Sequence, residues 1–134
     1  QSSKPLFGKR VALPKNNDYP NFVNWLHQRV RWDIGIIPLV DDEFNKSKSY
    51  LKFIEYTALH LTSIVSNVTS YNTVCQHQHN SLVVKNTSDE WYKGLKLLIE
   101  DGELRNRLLL NAQSELKSSH VLGETDICQL LEGV

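Results

Sequence analysis

The sequence predicts an α/β fold in which a parallel sheet carries helices on both faces, and three observations point to it. Short apolar runs recur at 34–39, 63–66 and 82–84, each of strand length. Around them lie longer stretches whose apolar residues repeat every three or four positions, the period of a helix with one buried face. The two kinds of segment alternate, and alternation of strand and helix is the pattern of parallel α/β units. About four strands and five helices in alternation predict a Rossmann-like, doubly wound parallel sheet, incomplete in strand number. At 134 residues the whole of 1–134 is expected to be one domain, long enough for a sizeable core.

In chain order, residues 1–9 read as an irregular entry, 10–13 as a short strand ended by Pro14, and 15–18 as loop. Asp18 is placed to cap a helix with Pro20 in its first turn and Phe22, Val23, Leu26 and Val30 on one face. Trp25 and Trp32 are expected to pack that helix on the sheet. The run 34–39 contains Pro38 and lacks polar alternation, so it reads as a strand buried on both faces. Ser49 is expected to cap the next helix, on which Tyr50, Phe53, Ile54, Thr57, Ala58 and Leu61 share one face and Lys48, Lys52 and Glu55 another. After the strand at 63–66 come a short helix at 70–76, a polar loop at 76–80 and a strand at 82–84. Ser88 is expected to cap a helix carrying Trp91, Leu95 and Leu98, which breaks at Asp101-Gly102. A helix at 103–118 with Leu104, Leu108, Ala112 and Leu116 follows, and 125–131 reads as a last short one.

Composition narrows the class. Lys plus Arg and Asp plus Glu number 15 each, so no global field favours nucleic acid, and no nucleic-acid partner is expected. No apolar run approaches the length of a membrane span, and no signal-peptide pattern opens the sequence. Cys75 and Cys128 are too few for a disulfide framework and are expected to be reduced, which suits a cytoplasmic protein. The sequence opens in a polar stretch without methionine, so it reads as a piece of something longer.

Two groups of residues could carry chemistry. In an open parallel sheet, ligands bind in the crevice at the carboxyl ends of the strands, and a helix N-terminus there favours an anion. Lys48, Lys52 and the helix start at Ser49 therefore suit a diphosphate, the bland alternative being a solvated face with a Lys52–Glu55 pair contributing ~0.3 kcal/mol. Cys75, His77 and His79 form a C-x-H-x-H run with zinc-type ligands, but alternate positions chelate awkwardly and no fourth ligand is evident, so no metal is assigned.

The run Trp32-Asp33-Ile34-Gly35-Ile36-Ile37-Pro38-Leu39, followed by Phe44-Asn45, Lys48-Ser49, Leu51-Lys52-Phe53 and Glu55-Tyr56, resembles the carboxyl-terminal half of glycosyltransferase family 4, enzymes of the GT-B fold. The resemblance continues through Ser66-Asn67-Val68, Tyr71, Val74, Asn80, Leu82-Val83-Val84 and Trp91 to Glu103-Leu104-Arg105 and Asn111-Ala112, covering residues 10–120. It implies a domain that binds a nucleotide-diphosphate sugar as co-substrate, with no further cofactor and no metal. A glycan or lipid acceptor would be held by an amino-terminal domain outside this sequence, and the fragment alone would be inactive. It also implies a retaining transferase of polysaccharide or glycolipid synthesis, with peripheral membrane association of the full-length protein.

By that resemblance Glu55 is the second of two motif glutamates and accepts the ribose hydroxyls, which a carboxylate can do with two oxygens. The first glutamate falls at Ser47, leaving Asn45 or Lys48 to contact the diphosphate or the sugar, and backbone near Leu13, Pro14 and Lys15 to contact the base. Asp41-Asp42-Glu43 resembles the aspartate-rich metal site of the other glycosyltransferase fold only superficially, and reads as a solvated acidic turn. Where the family has glycine or proline, this sequence has His60, Thr62, Thr69, Ser70, Gln78 and Ser81, and the turns there are expected to be reshaped. Two functions thus stand side by side: a donor-binding half of an active transferase, and a non-catalytic GT-B-like domain that retains the fold for partner binding.

Overall fold

The computed structural model of the chain describes residues 12, 15, 18–29, 32–46 and 50–118. Its contacts gather into two compact units, Gln1–Val30 and Arg31–Val134. The first contains helix α1 (Tyr19–Arg29). As expected, Asp18 caps it: its carboxylate accepts from the Asn21 amide at 2.9 Å and its carbonyl from Phe22 at 2.9 Å. Trp25 stacks on Phe22 within the same helix, ring centroids 6.0 Å apart. Of the strand expected at 10–13, Ala12 is exposed and lies in no strand, and the other three residues fall outside the described ones.

The second unit is built on β1 (Ile34–Ile37), β2 (Thr62–Ser66) and β3 (Leu82–Val84), parallel and in the order β1-β2-β3. Ile36, Ile64 and Leu82 stand in register, as do Ile37, Val65 and Val83 one residue on. Five helices complete it: α2 (Glu43–Lys46), α3 (Leu51–Ala58), α4 (Thr69–Asn72), α5 (Ser88–Glu100) and α6 (Gly102–Ser118). The fold is α/β with a three-stranded parallel sheet among the described residues, compatible with a Rossmann-like unit.

Strand alternation sends successive side chains to opposite faces, and each face gathers its own core. On one, Ile37 and Val65 pack with Phe53 of α3, Tyr71, Cys75 and Ala112. On the other, Ile64, Leu82 and Val84 pack with Leu98 of α5 and Leu108 of α6. Two glycines permit these close approaches. A Cβ at Gly94 would stand 2.7 Å from Ile64 Cδ1, and one at Gly35 would stand 2.7 Å from the Cγ of the Tyr56 ring.

Four local expectations are corrected. The edge strand β1 is not buried on both faces: Ile36 is 51% exposed, because β1 has a neighbour on one side only among the described residues and α5 and α6 pack on β3 and β2. Trp32 is likewise half exposed, at 49%. The caps move by one residue. The N-cap of α3 is Tyr50, with no side-chain capping bond, rather than Ser49, and that of α5 is Thr87, whose Oγ1 accepts from the Glu90 amide at 3.2 Å, rather than Ser88. The helix expected at 70–76 is the single turn 69–72.

The turns at His60 and Gln78 keep a left-handed backbone without glycine, with φ of 64° and 60°. At the end of α3 the Leu61 amide reaches the Tyr56 carbonyl at 2.8 Å and the His60 amide that of Thr57 at 3.2 Å. That is the bonding pattern of a Schellman cap, normally closed by glycine. The hydrogen bonds thus hold the turn in shape, against a steric cost of ~1 kcal/mol for the side chain. The Thr62 hydroxyl donates to the Arg105 carbonyl at 2.8 Å, which ties the start of β2 to α6. No helix of the described residues is long and apolar enough to cross a membrane.

Candidate functional site at the carboxyl ends of the strands

Parallel strands bring their carboxyl ends to one edge of the sheet, and in this unit that edge holds α2, the first turn of α3, and α4. A cavity of about 400 Å³ opens there. Its floor is Ile37, Pro38 and Leu39, the last turn of the β1 run, and its walls are Lys52, Tyr56 and Tyr71. Gly35 lets the Tyr56 ring settle against β1, so the glycine shapes the wall.

Lys52 and Glu55 sit one turn apart on α3. Lys52 Nζ donates to Glu55 Oε2 at 3.1 Å, with side chains 56% and 13% exposed. A helical pair at this spacing contributes ~0.3 kcal/mol where it is exposed, as Lys52 is, so the pair orients its members more than it stabilises the helix. Tyr71 stands behind them. Its hydroxyl pKa is pushed up to about 12, chiefly by burial and then by Cys75, and also by Glu55 and Tyr56, while the Lys52 backbone opposes the rise. At neutral pH Tyr71 is therefore a neutral phenol beside the lysine–glutamate pair.

The cavity floor is fastened from behind. Leu39 N–H donates to Ser66 Oγ at 2.8 Å, Ser66 Oγ donates to Asn86 Oδ1 at 2.7 Å, and Asn86 Nδ2 donates to the Leu39 carbonyl at 2.5 Å. Trp91 Nε1 adds a second bond to Asn86 Oδ1 at 3.2 Å. The ring of bonds joins the ends of all three strands and the first turn of α5. Sequence reasoning did not single out Ser66 and Asn86 as a pair. The one local signal was a serine closing β2 directly after its apolar pair Ile64 and Val65.

The expected site residues are distributed as follows. Lys52 lines the cavity and Glu55 joins it through the ion pair. Asn45 is buried, its amide held by Asp42 Oδ1 at 2.7 Å and its carbonyl by the Ser70 hydroxyl at 3.0 Å, which ties α2 to α4. Asp42 thus caps a helix that the sequence reading took for an acidic turn. Lys48 and Ser49 fall outside the described residues, as do Leu13 and Pro14, and Lys15 is exposed in the first unit.

The C-x-H-x-H run does not converge. Burial pushes the Cys75 thiol pKa up to about 12, against a Ser81 bond that lowers it. His77 Nδ1 accepts from the Val83 amide at 3.0 Å, and His79 Nε2 meets Glu115 Oε1 at 2.6 Å. Among the described residues no group of three or more His, Cys, Asp and Glu is placed to hold a metal ion. Compared with protein-family models, with curated proteins and with solved structures, the chain finds no match.

Proposed function

We propose that this domain is the donor-binding half of a glycosyltransferase, taking a nucleotide-diphosphate sugar at the carboxyl ends of its strands. The observation that carries the reading is the cavity at the end of β1, onto which the first turn of α3 brings Lys52 with Glu55 beside it. The amino end of α3 adds a partial positive charge for the diphosphate. Lys52 would neutralise part of the charge that grows on the leaving diphosphate, the electrostatic route by which such sites lower a barrier. Glu55 would take the ribose hydroxyls with two oxygens. The acceptor would come from a further domain of a longer protein. A non-catalytic domain kept for partner binding is the second reading, favoured by one observation: Lys52 is already partnered by Glu55, so part of its charge is compensated within the domain.

UDP, GDP, ADP, CDP and dTDP in a thermal-shift panel separate the two. A ligand that binds only the native state at a hundred times its dissociation constant stabilises by ~2.7 kcal/mol. One nucleotide stabilising the wild type but not Lys52→Ala supports the donor site. No stabilisation by any at millimolar concentration supports the non-catalytic domain.

A further inference from the structure

Asn86 is exposed and lies in a loop, yet its side-chain amide makes three hydrogen bonds: Oδ1 accepts from Ser66 and Trp91, and Nδ2 donates to Leu39. Only one orientation of the amide satisfies all three, since a flipped group would face donor to donor and carbonyl to carbonyl. Ser66, fully buried at the end of β2, supplies the remaining bond by accepting from the Leu39 amide. Both backbone groups of Leu39 are therefore held by side chains from later in the chain, one in β2 and one in the loop after β3, at a position where β1 has ended and no ladder fixes the chain. Leu39 and Pro38 line the same cavity as Lys52.

We infer that Asn86 and Ser66 are positioning residues for the cavity ligand: they hold the Leu39 backbone and so fix the floor against which a bound nucleoside diphosphate rests. This inference rests on the donor-site reading. The clamp also connects the floor to the Trp91 indole, so occupancy of the cavity is reported at Trp91 although Trp91 does not line it.

The test titrates UDP, GDP, ADP, CDP and dTDP into the 134-residue chain and into Asn86→Ala and Asn86→Asp, following the Trp91 indole N–H resonance and Leu39 amide exchange. Loss of a hydrogen bond of ordinary strength predicts about tenfold weaker binding in Asn86→Ala and about tenfold faster Leu39 exchange, with Ile64 and Val65 exchange unchanged. In the wild type the Trp91 resonance shifts on ligand addition, and in Asn86→Ala it does not. Asn86→Asp retains both acceptor bonds but cannot donate to Leu39, so it fails to restore affinity. Restored affinity in Asn86→Asp, or wild-type affinity in Asn86→Ala, overturns the positioning role while the donor site stands. If no nucleotide binds the wild type, the donor-site reading falls and the positioning role falls with it.

Discussion

The two ends of the sheet are fastened in different ways. At the amino end one long helix does the work: α6 takes the Thr62 hydroxyl on its Arg105 carbonyl, holds Asn80 through Glu115 at 2.7 Å, and reaches the His79 carbonyl with Asn111 at 2.8 Å. Polar groups there are used on one another. At the carboxyl end the strands are joined by the Leu39–Ser66–Asn86 ring, and the lysine–glutamate pair and two tyrosines are left beside a cavity. The amino end is built for stability, and the carboxyl end combines order in its backbone with an open wall. Substitutions should divide accordingly, into those that move stability alone and those that move binding.

The largest effect belongs to Asn80, which is buried and makes four bonds, to the Gln76 amide, the Ser81 hydroxyl, the Val74 carbonyl and Glu115. Asn80→Ala should lose ~2–3 kcal/mol of stability in urea unfolding, because several buried groups lose their partner. Ligand affinity of the folded fraction should not change. A loss of affinity equal to that of Lys52→Ala would erase the division between the two ends.

Alkaline pH probes the core behind the cavity. Cys75 and Tyr71 hold their protons more tightly folded than unfolded, with folded pKa values of about 12 against ordinary values near 9 and 10. Between those limits the native chain binds more protons than the unfolded one, so stability is full below pH 9 and falls as pH rises toward 12. Urea midpoints measured from pH 8 to 11 should show the fall beginning near pH 9. In Cys75→Ala the onset should move toward pH 10, leaving the tyrosine contribution.

His60→Gly is the smallest change and has the opposite sign. Relief of the left-handed backbone at φ 64° contributes ~1 kcal/mol. The larger unfolded-chain entropy of glycine and the exposed contact between His60 and Gln113 at 3.2 Å subtract from it, so stability should rise by roughly 0.3 kcal/mol. No gain in the unfolding midpoint would mean that the side-chain contact offsets the backbone strain.

What the sequence disclosed follows the reach of its signals. Short apolar runs located β1, β2 and β3, and periodicity located the helices α1, α3, α5 and α6, because burial of a helix face writes itself into residues three and four apart. The same period put Lys52 and Glu55 on one helix face, where they pair. Ile36 was misread, since its exposure depends on how many strands flank β1, which no local pattern states. α2 was missed because a single turn capped by Asp42 has no period. The clamp was invisible: its bonds span 27, 20 and 47 residues, and no spacing rule joins Leu39, Ser66 and Asn86.

The central claim is that the carboxyl end holds a diphosphate-bearing nucleotide through Lys52 and its neighbours. Calorimetric titration of the best nucleotide from the panel into wild type, Lys52→Ala and Glu55→Gln tests it most directly. The account predicts measurable binding to the wild type, loss of at least about tenfold in each variant, and stability within ~0.5 kcal/mol of wild type for both, since a helical ion pair at this spacing contributes little to folding. Equal affinity in all three proteins, or no binding to any, would contradict it.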